Sequence, residues 1–260
     1  MRPLLEHIAE AKTALEDVDR AVDGVSLSPV LADHIRKLAD TRGALIQATG
    51  LISARAAAWG ALERIDTMVD ADEMVELWGA SVAFSDARMI IVQAYLSVSW
   101  SLVDMLTAAV GRFVCIEAVG KNRMKPAKMW EHFVRDGKSL PTDLHGILSH
   151  GYGLPVAVSY ALRNHFVHDG AQHDDQTFFE GAGATFKVSD SGWQFLQRKV
   201  FDEYKVSATD TLAVERWPWP LDDVREVLSI CERELDAATA LVVAHATRGF
   251  KLQVGLMLDR

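Results

Sequence analysis

Cysteine is scarce in this chain: two residues in 260, Cys115 and Cys231. Two thiols make no disulfide framework. Both lie in apolar, helix-patterned stretches, so they read as buried thiols of a reducing, cytoplasmic compartment. Proline is also scarce, at seven, and no low-complexity tract occurs. That composition argues against a Pro-rich extended chain or a disordered tail. Basic residues are the minority, 27 against 36 acidic, for a net charge of -9 and a pI near 5.5. A whole-surface electrostatic grip on nucleic acid is therefore disfavoured, whereas a small basic site on an acidic body is allowed. Asparagine occurs only twice, as Asn122 and Asn164.

No secretory leader is visible, because "MRPLLEHIAEAK" becomes charged within a few residues. One segment, Met89 to Val119, is long enough to cross a bilayer. Gln93, Asp104 and Arg112 interrupt it, and a charge at mid-bilayer is costly, so it reads as a helix buried on most sides with no membrane partner.

What is present is a globular chain, 49% hydrophobic and 24% charged, long enough for a sizeable core. Leu4, Ile8, Ala11, Leu15, Val18 and Val22 recur at steps of four and three, the seam of an amphipathic helix. Gly24 ends it, and Ser28-Pro29 restarts the chain as an N-cap and first-turn proline. A second seam runs through Leu31, Ile35, Leu38, Leu45, Thr49, Ile52, Ala56 and Trp59, with Gly43 or Gly50 as a potential break. These two predict a long antiparallel helical hairpin, or an arm used for packing or dimerisation. The acidic stretch from Asp66 to Glu76 reads as a solvated turn and helix start, followed by the buried helix from about Asp86 to Val119.

Gly111 to Lys138 carries seven Lys and Arg against three acidic residues, a local excess of four positive charges in an acidic chain. Such a run is a solvated face or a phosphate-contacting patch, with Arg112, Lys121, Arg123, Lys125 and Lys128 as the candidate phosphate contacts. A short helix, a Gly-rich break and a second helix follow, with Pro155 in the first turn of the latter and Gly170 past its end. "TFFEGAGATFKVSD" alternates weakly around Gly-Ala-Gly and predicts a β-hairpin. Trp193, Leu196, Val200 and Tyr204 mark another helix, capped by Ser189 or Ser191. "VERWPWPLDD" reads as a rigid linker anchored by Trp217 and Trp219, and a closing helix runs from about Leu221 to Ala246. Trp78, Trp100, Trp130 and Trp193 fit core positions.

The residues that raise chemistry are "RNHFVH", Arg163 to His168. An arginine followed five positions later by a histidine is expected by chance about 0.6 times in such a chain, and Arg2 and His7 supply a decoy at that spacing. With Asn164 included, the expectation falls well below about 0.01. The pattern also closes an apolar helix, Leu154 to Leu162, and precedes Asp169-Gly170. As surface residues, His168 would meet a helix dipole and Arg163 an ion pair. As chemistry, histidine moves protons near neutrality and arginine offers a charged planar fork to phosphate. Five residues turn an ideal helix by about 500°, which leaves Arg163 and His168 about 140° apart, whereas Asn164 and His168 share a face. His165 points elsewhere and reads as a packing residue. Asp104 reads first as a satisfied polar group of the core. His145, His150, His173, Asp174 and Asp175 match no metal-ligand spacing, so no metal and no cofactor are expected.

On these residues the chain resembles the HEPN superfamily, all-α domains marked by Arg-x(4–6)-His at a helix end, often with a polar residue directly after the arginine. The resemblance extends from about Asp86 to about Ala246. It implies an all-α, HEPN-like helical bundle. Residues 1–80 would form an N-terminal helical extension, and residues 81–260 the HEPN-like domain with a β-hairpin insertion at about 175–215. It further implies a metal-independent endoribonuclease leaving 2′,3′-cyclic phosphate ends on single-stranded RNA. Arg163 and His168 would be the catalytic pair, with Asn164 in support. Homodimerisation, and an antitoxin or other regulatory protein in a toxin or phage-defence setting, also belong to the family pattern. So does a non-catalytic nucleotide- or protein-binding module. Some members carry a tyrosine two positions after the histidine as a modification target; Gly170 stands there, which removes that route of control.

Overall fold

A computed structural model describes residues 3–66, 74–114, 152–167, 179–180, 187–203 and 224–258. Among them helix dominates, joined by two small antiparallel hairpins. The elements are α1 (Leu4–Val22), α2 (Pro29–Asp66), β1 (Met74–Leu77), β2 (Ala80–Ala83), α3 (Phe84–Val114), α4 (Gly153–Val167), β3 (Phe179–Glu180), β4 (Lys187–Val188), α5 (Asp190–Gln197), a π-helical turn (Arg198–Glu203) and α6 (Val224–Leu258). The chain divides into two compact units, each discontinuous in sequence. One comprises Met1–Gly50, Leu102–Leu148 and Asp236–Arg260; the other comprises Leu51–Ser101 and Ser149–Leu235.

In the first unit, α1 buries Leu4, Ile8, Ala11, Ala14, Leu15 and Val18, the face its periodicity predicts. Gly24, at φ 72°, turns the chain after it. The Ser28 carbonyl accepts the Ala32 N–H at 2.9 Å, so Ser28 is the N-cap of α2 and Pro29 opens the helix. Lys12 Nζ donates to Thr49 Oγ1 at 3.1 Å, and Arg42 pairs with Asp19. Moving forward on α1 from 12 to 19 therefore moves back on α2 from 49 to 42, the signature of an antiparallel pair.

Helix α2 differs from expectation in two ways. It runs unbroken through Gly43 and Gly50, since neither glycine has a positive φ and both remain within one 38-residue helix. Among its described side chains the buried ones are Thr41, Leu45, Ala48, Arg55, Leu62 and Ile65, with Ile52 and Trp59 half-buried between them; Leu31 and Leu38 of the expected seam lie outside the described side chains. The steps alternate four and three from Thr41 to Leu62 and keep Leu45, Ile52 and Trp59 of the expected seam, but Ala48 and Arg55 take the places of Thr49 and Ala56, which are exposed. Apolar periodicity does not mark those two places, because one holds a small alanine and the other an arginine.

The second unit starts with a correction. Met74 to Glu76, expected as a helix start, pair as a strand, with Met74 opposite Ala83 and Leu77 opposite Ala80. Val75 and Leu77 are buried while Met74 and Glu76 are exposed, the alternation of a half-buried strand. The turn is Trp78-Gly79, and Trp78 is 73% exposed, so it is not a core residue. Trp100 and Trp193 are buried, as their spacing predicts; Trp130, Trp217 and Trp219 lie outside the described residues.

Helix α3 contains a stretch, Asp86–Leu106, with mean hydropathy 1.5, long and apolar enough to cross a membrane. Half of it is buried inside the protein, as befits a core helix. Phe84, Ile91, Val92, Tyr95, Leu96 and Trp100 belong to the second unit's core. The expected hairpin near residue 183 is present: Phe179 pairs with Val188 and Glu180 with Lys187. Ser189 then caps α5, its Oγ accepting the Gly192 N–H at 3.1 Å. Trp193, Leu196 and Val200 are buried as their spacing requires, and Tyr204 lies outside the described residues. Helix α6 buries Leu228, Cys231, Leu235, Ala238 and Val242 on schedule, but it continues to Leu258 rather than ending near Ala246. Phe250, fully buried, anchors that extension, which the small residues around Ala246 obscured in the sequence.

Candidate functional site

The candidate site is built on α4. Pro155 sits in its first turn, and the run after it packs inward: Val156, Ala157, Val158, Ala161 and Leu162 are buried. Ser159, also buried, returns its hydroxyl to the Val156 carbonyl at 3.0 Å, so it adds no unsatisfied group to the core. Tyr160 meets the buried Trp100 edge-on, with ring centroids 4.9 Å apart. These contacts fix the axial rotation of α4 and so fix where its last turns emerge.

Those turns present Arg163, Asn164 and His165, all half-buried. Arg163 Nη1 donates to Asn164 Oδ1 at 2.9 Å. A guanidinium has donors only, so the amide must offer its oxygen here. Asn164 thus orients the arginine, a charge-assisted contact stronger than a neutral one. His165 packs on Phe195 of α5, centroids 4.9 Å apart, the packing role its position predicts. His168, Asp169 and Gly170 lie outside the described residues, as do Lys121, Arg123, Lys125, Lys128 and the histidines and aspartates considered for a metal. Arg112 lies on α3, and only its backbone position in that helix is described.

Sequence reasoning passed over two further groups in this unit. The first adjoins α4. The π-helical turn Arg198–Glu203 packs on α4, and it places Arg198 and Lys199 over the Phe195 ring at 5.9 Å and 5.7 Å. Phe195 therefore gathers three nitrogenous side chains: His165 on one contact and two cations on the others. π-Turns interrupt the i to i−4 ladder and recur at functional sites. The available signal is Arg198-Lys199 directly after the amphipathic segment of Trp193 and Leu196.

The second group is deeper. Arg55, 3% exposed, pairs through Nε with Glu232 Oε1 at 3.0 Å. The other oxygen of Glu232 accepts from the Tyr95 hydroxyl. Trp59 lies against Tyr95 with centroids 5.6 Å apart and donates its indole N–H to Glu63 at 2.9 Å. Burial strengthens the attraction between Arg55 and Glu232, and the same burial makes the loss of either partner expensive. The cluster is suited to locking α2, α3 and α6 in register within this unit. Partial burial, with the Glu234 carboxylate of α6 second, holds the Tyr152 phenol above its ordinary range. Arg88, also buried, lies over Phe84 at 5.0 Å.

Among the described residues no three His, Cys, Asp or Glu side chains gather closely enough to hold a metal ion. In comparisons with known proteins, no family model, no curated protein and no solved structure matches the chain.

Proposed function

We propose that this chain is a HEPN-type, metal-independent endoribonuclease of single-stranded RNA, acting as a cytoplasmic homodimer in a toxin or phage-defence setting, under an antitoxin or other regulatory protein. One observation carries the reading: the Arg163 guanidinium is held by Asn164 at the end of α4, while Arg198 and Lys199 gather over Phe195 beside His165 in the same unit. A positioned guanidinium close in sequence to a His168 proton carrier, with further cations on a neighbouring turn, is a chemistry suited to a phosphodiester.

In the proposed reaction the RNA 2′-oxygen attacks phosphorus as His168 takes its proton. The O2′–P bond forms and the P–O5′ bond breaks, and the departing 5′-oxygen takes up a proton. The products are a 2′,3′-cyclic phosphate and a 5′-hydroxyl. Arg163 stabilises the negative charge that grows on the phosphorane oxygens. Asn164 keeps the guanidinium in its productive orientation, and Arg112, Lys121, Arg123, Lys125 and Lys128 hold the flanking backbone.

Purified protein incubated with single-stranded RNA in EDTA tests this. Cleavage to cyclic-phosphate ends that is lost in His168→Ala and in Arg163→Ala supports the enzyme. Folded wild-type protein that binds RNA or nucleotide without cleaving it would establish the binding module instead.

A further inference from the structure

The β1–β2 hairpin carries a large side chain where its turn least tolerates one. Trp78 and Gly79 have φ of 51° and 82°, the paired positive angles of a type I′ turn. Asn, Asp or Gly normally fills the first of these positions, and for a bulky residue the left-handed conformation costs about 1–2 kcal/mol. Burial does not offset that cost, because Trp78 is 73% exposed, the highest value among the described large hydrophobic residues. Met74 is 58% exposed, and Glu76 shares its side of β1, opposite the buried Val75 and Leu77. Strained backbone of this kind clusters at functional sites.

Charge indicates what the hairpin receives. Between Asp66 and Asp86 the sequence has six acidic residues and no basic one. Of these, Glu76 and Asp86 are described and exposed, and their charge disfavours RNA and anionic lipid and favours cations. An indole face is the best aromatic partner for an ammonium or guanidinium group, Glu76 supplies a countercharge, and Met74 adds an adaptable apolar contact.

We propose that the β1–β2 hairpin is a docking site for a Lys/Arg-rich segment of a partner protein, seated on Trp78 and paired with Glu76. The site is separate from the Arg163 motif and stands whether or not that motif cleaves RNA. The test titrates a short labelled peptide of lysine, arginine and leucine into the full chain by fluorescence anisotropy. A peptide with glutamate at every basic position, a uridine oligonucleotide and phosphatidylserine vesicles serve as parallel probes. The basic peptide binds, and added salt weakens it. Trp78→Gly lowers its affinity roughly tenfold or more, and Glu76→Lys lowers it further. Trp78→Gly also melts at the same or a higher temperature, because glycine adopts the turn without strain. Failure of the basic peptide to bind, or equal binding of the acidic one, overturns the proposal. So does undiminished binding to Trp78→Gly, or RNA or vesicle binding that Trp78→Gly abolishes. A clear drop in melting temperature for Trp78→Gly would assign the tryptophan to the fold and overturn it as well.

Discussion

Arg55 Nε lies 3.0 Å from Glu232 Oε1, with the arginine side chain 4% exposed and the glutamate 31% exposed. The same carboxylate accepts from Tyr95, 137 residues away in sequence. Arg55→Met leaves that carboxylate without its cation. The expected loss is about 2–3 kcal/mol, below the usual range for a fully buried pair because Glu232 retains some contact with water. Urea unfolding of Arg55→Met, Glu232→Gln and the double variant measures it. The double variant should lose clearly less than the two single losses added together.

Gly43 and Gly50 lie inside α2 with nothing within 4 Å of where a Cβ would stand. Gly43→Ala and Gly50→Ala should each stabilise the protein by about 0.5–1 kcal/mol, by restricting the unfolded chain and favouring helix. The two sites are two turns apart, so the gains should nearly add. A loss of stability at either site would mean that the helix is interrupted there.

Burial pushes the Cys231 thiol from 9.0 up to about 12. The unfolded chain therefore releases this proton at lower pH than the folded one. The corresponding stability is fully present below pH 9.0 and declines as pH rises from 9.0 towards about 12. Alkylation of Cys231 by iodoacetamide at about pH 8 should proceed only through unfolding. Peptide mass spectrometry should show its labelling rate rising with urea in step with global unfolding.

Asn164 Oδ1 holds Arg163 Nη1 at 2.9 Å. If the proposed ribonuclease activity is measured, Asn164→Ala should lower kcat/KM by about 10–100-fold, the worth of one hydrogen bond to a charged group. Asn164→Asp keeps the acceptor but adds a negative charge that competes with phosphate for the guanidinium. It should raise KM more than it lowers kcat. The same pH profile in wild type and Asn164→Asp would place the asparagine with Arg163 rather than with the proton carrier.

Much of the helical framework was legible because its signals are local. The α1 stripe, the Ser28-Pro29 start, the Ser189 cap and the stripe of α6 each depend on residues within a few turns of one another. The hairpin joining Phe179 to Val188 was announced by Gly-Ala-Gly. Legibility failed where a polar residue occupied an apolar slot or a tryptophan occupied a glycine slot. On α2, apolar periodicity finds Leu45, Ile52 and Trp59 but not the buried Thr41 and Arg55. Trp78 was assigned to the interior because size and apolarity usually send tryptophan there. Of the motif, Arg163 and Asn164 were named in advance, but their hydrogen bond to each other was not. The helical wheel pairs Asn164 with position 168 and says nothing of a long side chain folding onto its neighbour.

The sequence by itself determined where α2 and α5 start, which faces α1 and α6 bury, and that Arg163, Asn164 and His165 lie in the last turns of α4. These follow from the 3.6-residue period, from capping chemistry and from the cost of exposing apolar surface. Only tertiary structure decided that Arg55 belongs to the interior, that Glu232 and Tyr95 are its companions, and that Phe195 collects His165, Arg198 and Lys199. A buried charge is tolerable only opposite its partner, and that partner is supplied by residues distant along the chain, so no local pattern announces it.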